Sequence, residues 1–71
     1  MSERLTELQL NILEFICEFV TKNGYSPTLA EIGSGVGCAK STVHYNLKKL
    51  KELGLILWDS NISRNVRVVE M

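Results

Sequence analysis

GCAKSTVHYNLKKLKELG, residues 37–54, is the stretch on which the fold turns. Gly37 and Cys38 suit a turn, and a helix is expected from about Lys40 to Leu53. Apolar residues recur at Val43, Leu47 and Leu50, with Leu53 close to the same stripe. That i, i+4, i+7 spacing marks one buried helix face. At about 100° per residue, the opposite face carries Ser41, Tyr45, Lys48 and Glu52, flanked by Thr42 and Lys49 on one side and His44 on the other. A short helix with one apolar stripe and an outer face of hydroxyls, an aromatic ring and lysines suits a DNA major groove. Small polar groups near its N-terminus can reach base edges, and lysines further along can reach phosphates. The pattern is that of the recognition helix of a helix-turn-helix.

The residues before it supply the other two helices. Thr6-Glu7-Leu8-Gln9 fits a capping box, and Leu5 and Leu10 stand in the hydrophobic-staple positions. The first helix is expected to run to about Asn23, with a main stripe of Leu8, Ile12, Phe15, Ile16, Phe19 and Val20, and Gly24 suits its left-handed C-terminal position. Residues 1–4 read as a frayed end. Tyr25-Ser26-Pro27 is an extended link, because the residue before a proline avoids helix. Thr28-Leu29-Ala30-Glu31 is a second capping box, opening a short helix over about 29–34 that buries Leu29 and Ile32. Gly33, Gly35 and Gly37 follow, and glycine permits both a tight turn and close helix approach. A phosphate-cradling loop is the alternative use of such glycines, but no strand precedes them and no GK[ST] follows.

The residues after it read as a hairpin. Gly54 ends the helix, and Leu55–Trp58 and Val66–Val69 are strands by composition, joined by the turn-rich tip Asp59–Asn65. Alternation places Ile56, Trp58, Val66 and Val68 on the core side. Helix, helix, turn, helix and hairpin make a mainly α, three-helix winged helix-turn-helix with a C-terminal two-stranded β-hairpin wing. Residues 1–71 are expected to form one domain, and since a chain of this size can bury only about 60% of its unfolded surface, its stability is expected to be modest.

Composition narrows the function. An apolar fraction of 45% with 23% charged residues is ordinary for a globular chain. No apolar run nears the ~18 residues of a membrane span, and no signal peptide opens the chain, so a cytoplasmic protein is expected. Cys17 and Cys38 match no zinc spacing, and each is expected as a buried or half-buried free thiol, a disulfide being the alternative. No paired carboxylates converge on His44, and neither cysteine has an activating neighbour, so an enzyme is not expected. No metal, cofactor or small-molecule ligand is indicated. A net charge of zero argues against nucleic acid, because DNA-binding domains are usually basic. The distribution argues the other way. Residues 1–36 set Arg4 and Lys22 against five glutamates, a net of −3, whereas residues 37–71 set six basic residues against three acidic ones, a net of +3.

These segments together resemble the N-terminal DNA-binding domain of the LexA repressors, from Leu5 to Val69. Leu5-Thr6 followed by Gln9 is similar to that family's first helix. Tyr25-Ser26-Pro27-Thr28 with Glu31-Ile32 is similar to its PPT…EI segment. Val36-Gly37, Ser41-Thr42-Val43-His44, Leu47-Lys48-Lys49-Leu50 and Gly54-Leu55-Ile56 are similar to its helix-turn-helix, and Ser63-Arg64 with Val66-Arg67 to its wing, SRGIRLL. STVH with its leucines also suits MarR-like winged helices; the first two segments and the wing favour the LexA type. Four departures stand out. The turn before the third helix is one residue shorter, and Ala39 replaces a serine cap. Asn65 replaces the wing glycine, where asparagine tolerates a positive φ. The self-cleaving, dimerising domain of the family would begin where these residues stop; if the 71 residues were a whole protein, damage-triggered self-cleavage would be missing.

The resemblance implies that Ser41, Thr42, His44 and Tyr45 read bases, nearly the set the helical geometry selects. The alternative for Tyr45 is packing on a neighbouring helix, and for His44 an exposed flank position without contact. Lys40, Lys48 and Lys49 are candidate phosphate contacts, a solvated face being the alternative. Arg64 is the leading contact outside the helix, to a phosphate or the minor groove, and Arg67 is a further candidate or a structural residue. Leu10, Cys17 and Leu57 fall off the core stripes, as does Ile62 at the hairpin tip. Scattered surface apolars need no explanation, but Leu10, Cys17 and Leu57 are also candidate contacts of a homodimer on paired half-sites. The expected partner is double-stranded DNA and the expected role transcriptional repression. The competing expectation is a winged-helix module that binds protein and binds DNA weakly or not at all.

Overall fold

A computed structural model describes residues 5–69; the frayed end expected for residues 1–4 lies outside the described residues. Three helices are followed by a hairpin: α1 (Glu7–Asn23), α2 (Leu29–Val36), α3 (Lys40–Glu52), β1 (Ile56–Leu57) and β2 (Arg67–Val68). The architecture is the expected winged helix.

Both capping boxes form. The Thr6 hydroxyl accepts from the Gln9 N–H and the Gln9 side chain accepts from the Thr6 N–H, each at 3.0 Å. Thr28 and Glu31 make the same exchange at 3.1 and 2.9 Å. These partners satisfy first-turn N–H groups that a helix leaves without intrahelical acceptors. α3 has no such cap: Ala39 is extended and offers no side-chain acceptor.

The second helix is longer than the expected 29–34. It runs to Val36 and takes Gly33 and Gly35 into its interior, so only Gly37 serves the turn, at φ +79°. The interior glycines permit close packing. A Cβ on Gly33 would sit 2.6 Å from the carbonyl oxygen of Cys38, and one on Gly35 would overlap the Phe15 ring. The Gly33 carbonyl also accepts from the N–H groups of Gly37 and Cys38, at 2.8 and 3.0 Å. The turn from α2 into α3 is thereby folded directly onto Gly33.

The core is Ile12 and Ile16 of α1, Ile32 of α2, Val43, Leu47 and Leu50 of α3, and Ile56 and Val66 of the hairpin, none more than 2% exposed. Each such side chain contributes about 1.5–3 kcal/mol on burial. Phe15, Leu29, Trp58 and Val68 pack around this centre. Three members expected in the stripes lie outside it, the first being Phe19, whose ring meets Phe15 and Tyr25 instead. Val20 is 39% exposed because the whole last turn of α1 is in solvent, and Leu53 is 39% exposed because it caps α3 rather than continuing it.

The hairpin pairs Ile56 with Val68 and Leu57 with Arg67, antiparallel, and the Val69 N–H donates to the Leu55 carbonyl at 2.9 Å. The strands are shorter than the expected 55–58 and 66–69. The ladder stops at Leu57 because the chain beyond Trp58 enters a turn network. Asp59 Oδ1 accepts from the Asn61 N–H at 2.9 Å, and the Asp59 carbonyl from the Ile62 N–H at 3.0 Å. With its amide nitrogen turned inward, Asn65 donates to the carbonyls of Asp59 and Ile62 at 3.1 and 3.0 Å and accepts from the Asp59 N–H at 3.0 Å. Asn65 does not take the positive φ; among the described non-glycine residues Arg64 does, at +55°. The amide of Asn65 ties the wing loop shut, and the turn is completed one residue earlier.

Candidate nucleic-acid interface

The outer face of α3 is open. Ser41, His44, Tyr45, Lys48 and Lys49 are exposed, as is Lys40 at the start of the helix, and Thr42 is half-buried. Val43, Leu47 and Leu50 hold the opposite face in the core, so the outward direction of these polar side chains is fixed by helix periodicity. Tyr45 is 59% exposed and its neighbour is Lys49, whose ammonium lies 5.8 Å from the ring centroid. Packing of Tyr45 on another helix is not what the structure has.

His44 is exposed yet in contact. Its ring meets Trp58 edge-on, with centroids 5.1 Å apart and planes at 76°. Trp58 lies at the root of the wing, so this contact joins α3 to the hairpin. The first turn of α2 borders the same surface, where Leu29 lines a shallow depression with Lys40, Ser41 and His44.

Arg64 stands apart from the lysines. Its guanidinium meets the Glu31 carboxylate through two donors, Nη1 to Oε1 at 2.9 Å and Nη2 to Oε2 at 3.1 Å. Nη1 also donates to the Ser26 carbonyl at 3.2 Å, and the guanidinium carbon lies 4.9 Å from the centre of the Tyr25 ring. The hydrogen bonds from Arg64, with that from the Thr28 N–H, hold the Glu31 carboxyl below its ordinary value of 4.5, and Glu31 in turn raises Arg64. Arg67 lies elsewhere, lining a groove with Cys17, Val20 and Thr21 between α1 and β2.

The expected dimer residues are exposed: Leu10 at 52%, Leu57 at 60%, and Cys17. Cys17 was expected buried or half-buried and is neither, because it faces away from the Ile12–Ile16 stripe; Cys38 is half-buried, and both thiols are free. Leu57 pairs with Arg67 in the ladder, and Arg67 shares the groove of Cys17.

Two residues escaped the reading of the sequence. Asn46, only 7% exposed, donates to the Thr42 carbonyl at 2.8 Å and accepts from the Gln9 amide at 3.2 Å, tying the start of α1 to α3. Its spacing held the signal, since position 46 lies three residues after Val43 and four before Leu50. The sequence marks Glu31 as a cap alone, and nothing local announces a partner 33 residues away.

Among the described residues no helix is long and apolar enough to cross a membrane. The sequence model of the LexA DNA binding domain family matches residues 2–65. The chain is 42% identical over 71 residues to the LexA repressor of Pelotomaculum thermopropionicum, covering 99% of this chain and 35% of that protein. It is 41% identical over 70 residues to the LexA repressor of Acetivibrio thermocellus, covering 97% and 33%, and 43% identical over 68 residues to that of Bacillus licheniformis, covering 94% and 33%. The chain thus spans about a third of the length of the curated relatives it matches.

Proposed function

The chain belongs to the LexA DNA-binding domain family, and from that premise we propose that it acts in the cytoplasm as a sequence-specific repressor of transcription on double-stranded DNA. The observation that carries this reading is the solvent-facing row of Ser41, Tyr45, Lys48 and Lys49 on a helix whose other face is fully buried. Ser41 and Thr42 read base edges, with His44 and Tyr45 completing the recognition set, and Lys40, Lys48 and Lys49 contact phosphates. The wing, residues 59–65, lies along the adjoining backbone. Of the two arginines of the hairpin, Arg67 is the weaker phosphate candidate because it lines the α1 groove, and Arg64 is already engaged by Glu31. Two copies on paired half-sites would double the contact surface, with Leu10, Cys17 and Leu57 as candidate dimer residues; sedimentation on DNA that shows only one copy bound, in wild type and Leu10→Glu alike, excludes the dimer.

Selection of bound duplexes from a random pool, followed by affinity measurement across salt, tests the reading. Enrichment of a defined half-site and a steep fall of affinity with salt are expected. No enrichment and weak, salt-flat binding would overturn it in favour of a protein-binding winged helix, the reading that zero net charge and the exposed apolar residues suit.

A further inference from the structure

A two-residue ladder cannot by itself hold a hairpin in one orientation, because isolated two-stranded hairpins are marginal in water. The wing therefore depends on contacts outside its own sheet. At its root Trp58 meets His44 of α3; at its tip Arg64 reaches the N-terminal turn of α2. The tip contact is built from four groups: both oxygens of Glu31, the Ser26 carbonyl and the Tyr25 ring. Glu31 Oε1 receives Arg64 and the Thr28 N–H together, each at 2.9 Å. Arg64 makes this contact from φ +55°, a conformation uncommon outside glycine, asparagine and aspartate. An observed backbone outlier of this kind points to a local task. Since α2 is pressed against the start of α3 at Gly33, whatever fixes the wing to α2 also fixes it relative to α3.

We propose that Arg64 is a positioning residue that clamps the wing tip to Glu31, so that wing and recognition helix present a single preset surface to DNA. This rests on the DNA-binding reading for its effect on affinity, and on the free protein alone for its effect on the wing. Arg64 is on this account held by the protein rather than by a phosphate.

Three substitutions separate the two roles. Glu31→Gln keeps the capping box, because glutamine serves at that position, but removes the charge that receives the guanidinium. Arg64→Lys keeps the charge but not the two-pronged geometry; Arg64→Gln loses both. With a clamp, all three weaken binding to the selected duplex about three- to tenfold. The Glu31→Gln/Arg64→Gln double variant is then no weaker than the worse single variant, and the salt slope stays as in wild type. A phosphate contact gives the opposite set. Glu31→Gln then binds as well or better, because an acidic residue has left the DNA-facing side; Arg64→Lys is close to wild type, and Arg64→Gln lowers the salt slope by about 1. That set would overturn the clamp while leaving DNA binding intact. Backbone amide order parameters of the free protein give a readout without DNA. A drop over residues 60–65 in Glu31→Gln and Arg64→Gln is expected. Unchanged order in both overturns the clamp, whether or not the chain proves to bind DNA.

Discussion

Ser41 and Thr42 on one side and Lys48 on the other are expected to fail differently when removed. Hydroxyls at the start of α3 can read base edges, whereas an ammonium further along meets phosphates that are the same in every sequence. Thr42→Ala should therefore reduce the ratio of affinities for selected and random duplexes, with little change in salt slope. Lys48→Ala should weaken both duplexes alike and lower the slope by about 1. Equal losses on both duplexes for both variants would remove Thr42 from the readers. Asn46 makes a prediction of a different kind. Its side chain is buried and bonded at both ends, so Asn46→Ala strands the Gln9 amide and should cost about 1–3 kcal/mol in urea unfolding. An unchanged midpoint would mean that water replaces both bonds. Asn46 was readable from its place between Val43 and Leu50, but polarity hid it: a polar residue beside an apolar stripe is ordinarily on the wet side.

At the scale of elements, capping and periodicity were legible because they are local. Thr6 and Gln9, or Thr28 and Glu31, are three residues apart, and helix geometry alone brings them together. The end of α2 was not legible. Two glycines normally end a helix, yet here Gly33 and Gly35 continue it, because their missing Cβ atoms admit the Cys38 carbonyl and the Phe15 ring. That information sits in the partners of α2 rather than in α2. The consequence can be checked. Gly33→Ala would press a methyl on backbone that cannot swing aside, and should cost about 1–3 kcal/mol of stability, measured by thermal unfolding. A neutral or stabilising result, as helix propensity alone would give, would contradict the close approach. The wing shows the same division: alternation correctly placed Ile56 and Val66 inward, whereas the left-handed residue proved to be Arg64 rather than Asn65.

For the whole molecule, the Cα radius of gyration of 11.2 Å matches the ~11 Å of a closely packed chain of this length. Besides the shared core, its parts are coupled by long-range polar ties, Gln9 to Asn46 and Arg64 to both Glu31 and Ser26. The second is pH-sensitive. Arg64 and the Thr28 N–H hold the Glu31 carboxyl below its ordinary 4.5. A lowered carboxyl stabilises the fold above the ordinary value, and that contribution fades as pH falls through 4.5 and below it. The stability difference between wild type and Glu31→Gln should thus be present at neutral pH and close on acidification; a difference that persists at low pH would show that charge is not its origin. The site as a surface was legible because the apolar stripe of α3 dictates which residues face out. The engagement of Arg64 was not, since charge and position alone make a wing arginine look free. Amide shifts of the labelled protein, followed during titration with the selected duplex, test the central claim most directly. Perturbation concentrated at residues 40–49, with the wing tip and the start of α2, is the predicted result. Perturbation centred instead on the Cys17 and Arg67 groove, with residues 40–49 unmoved, would contradict it.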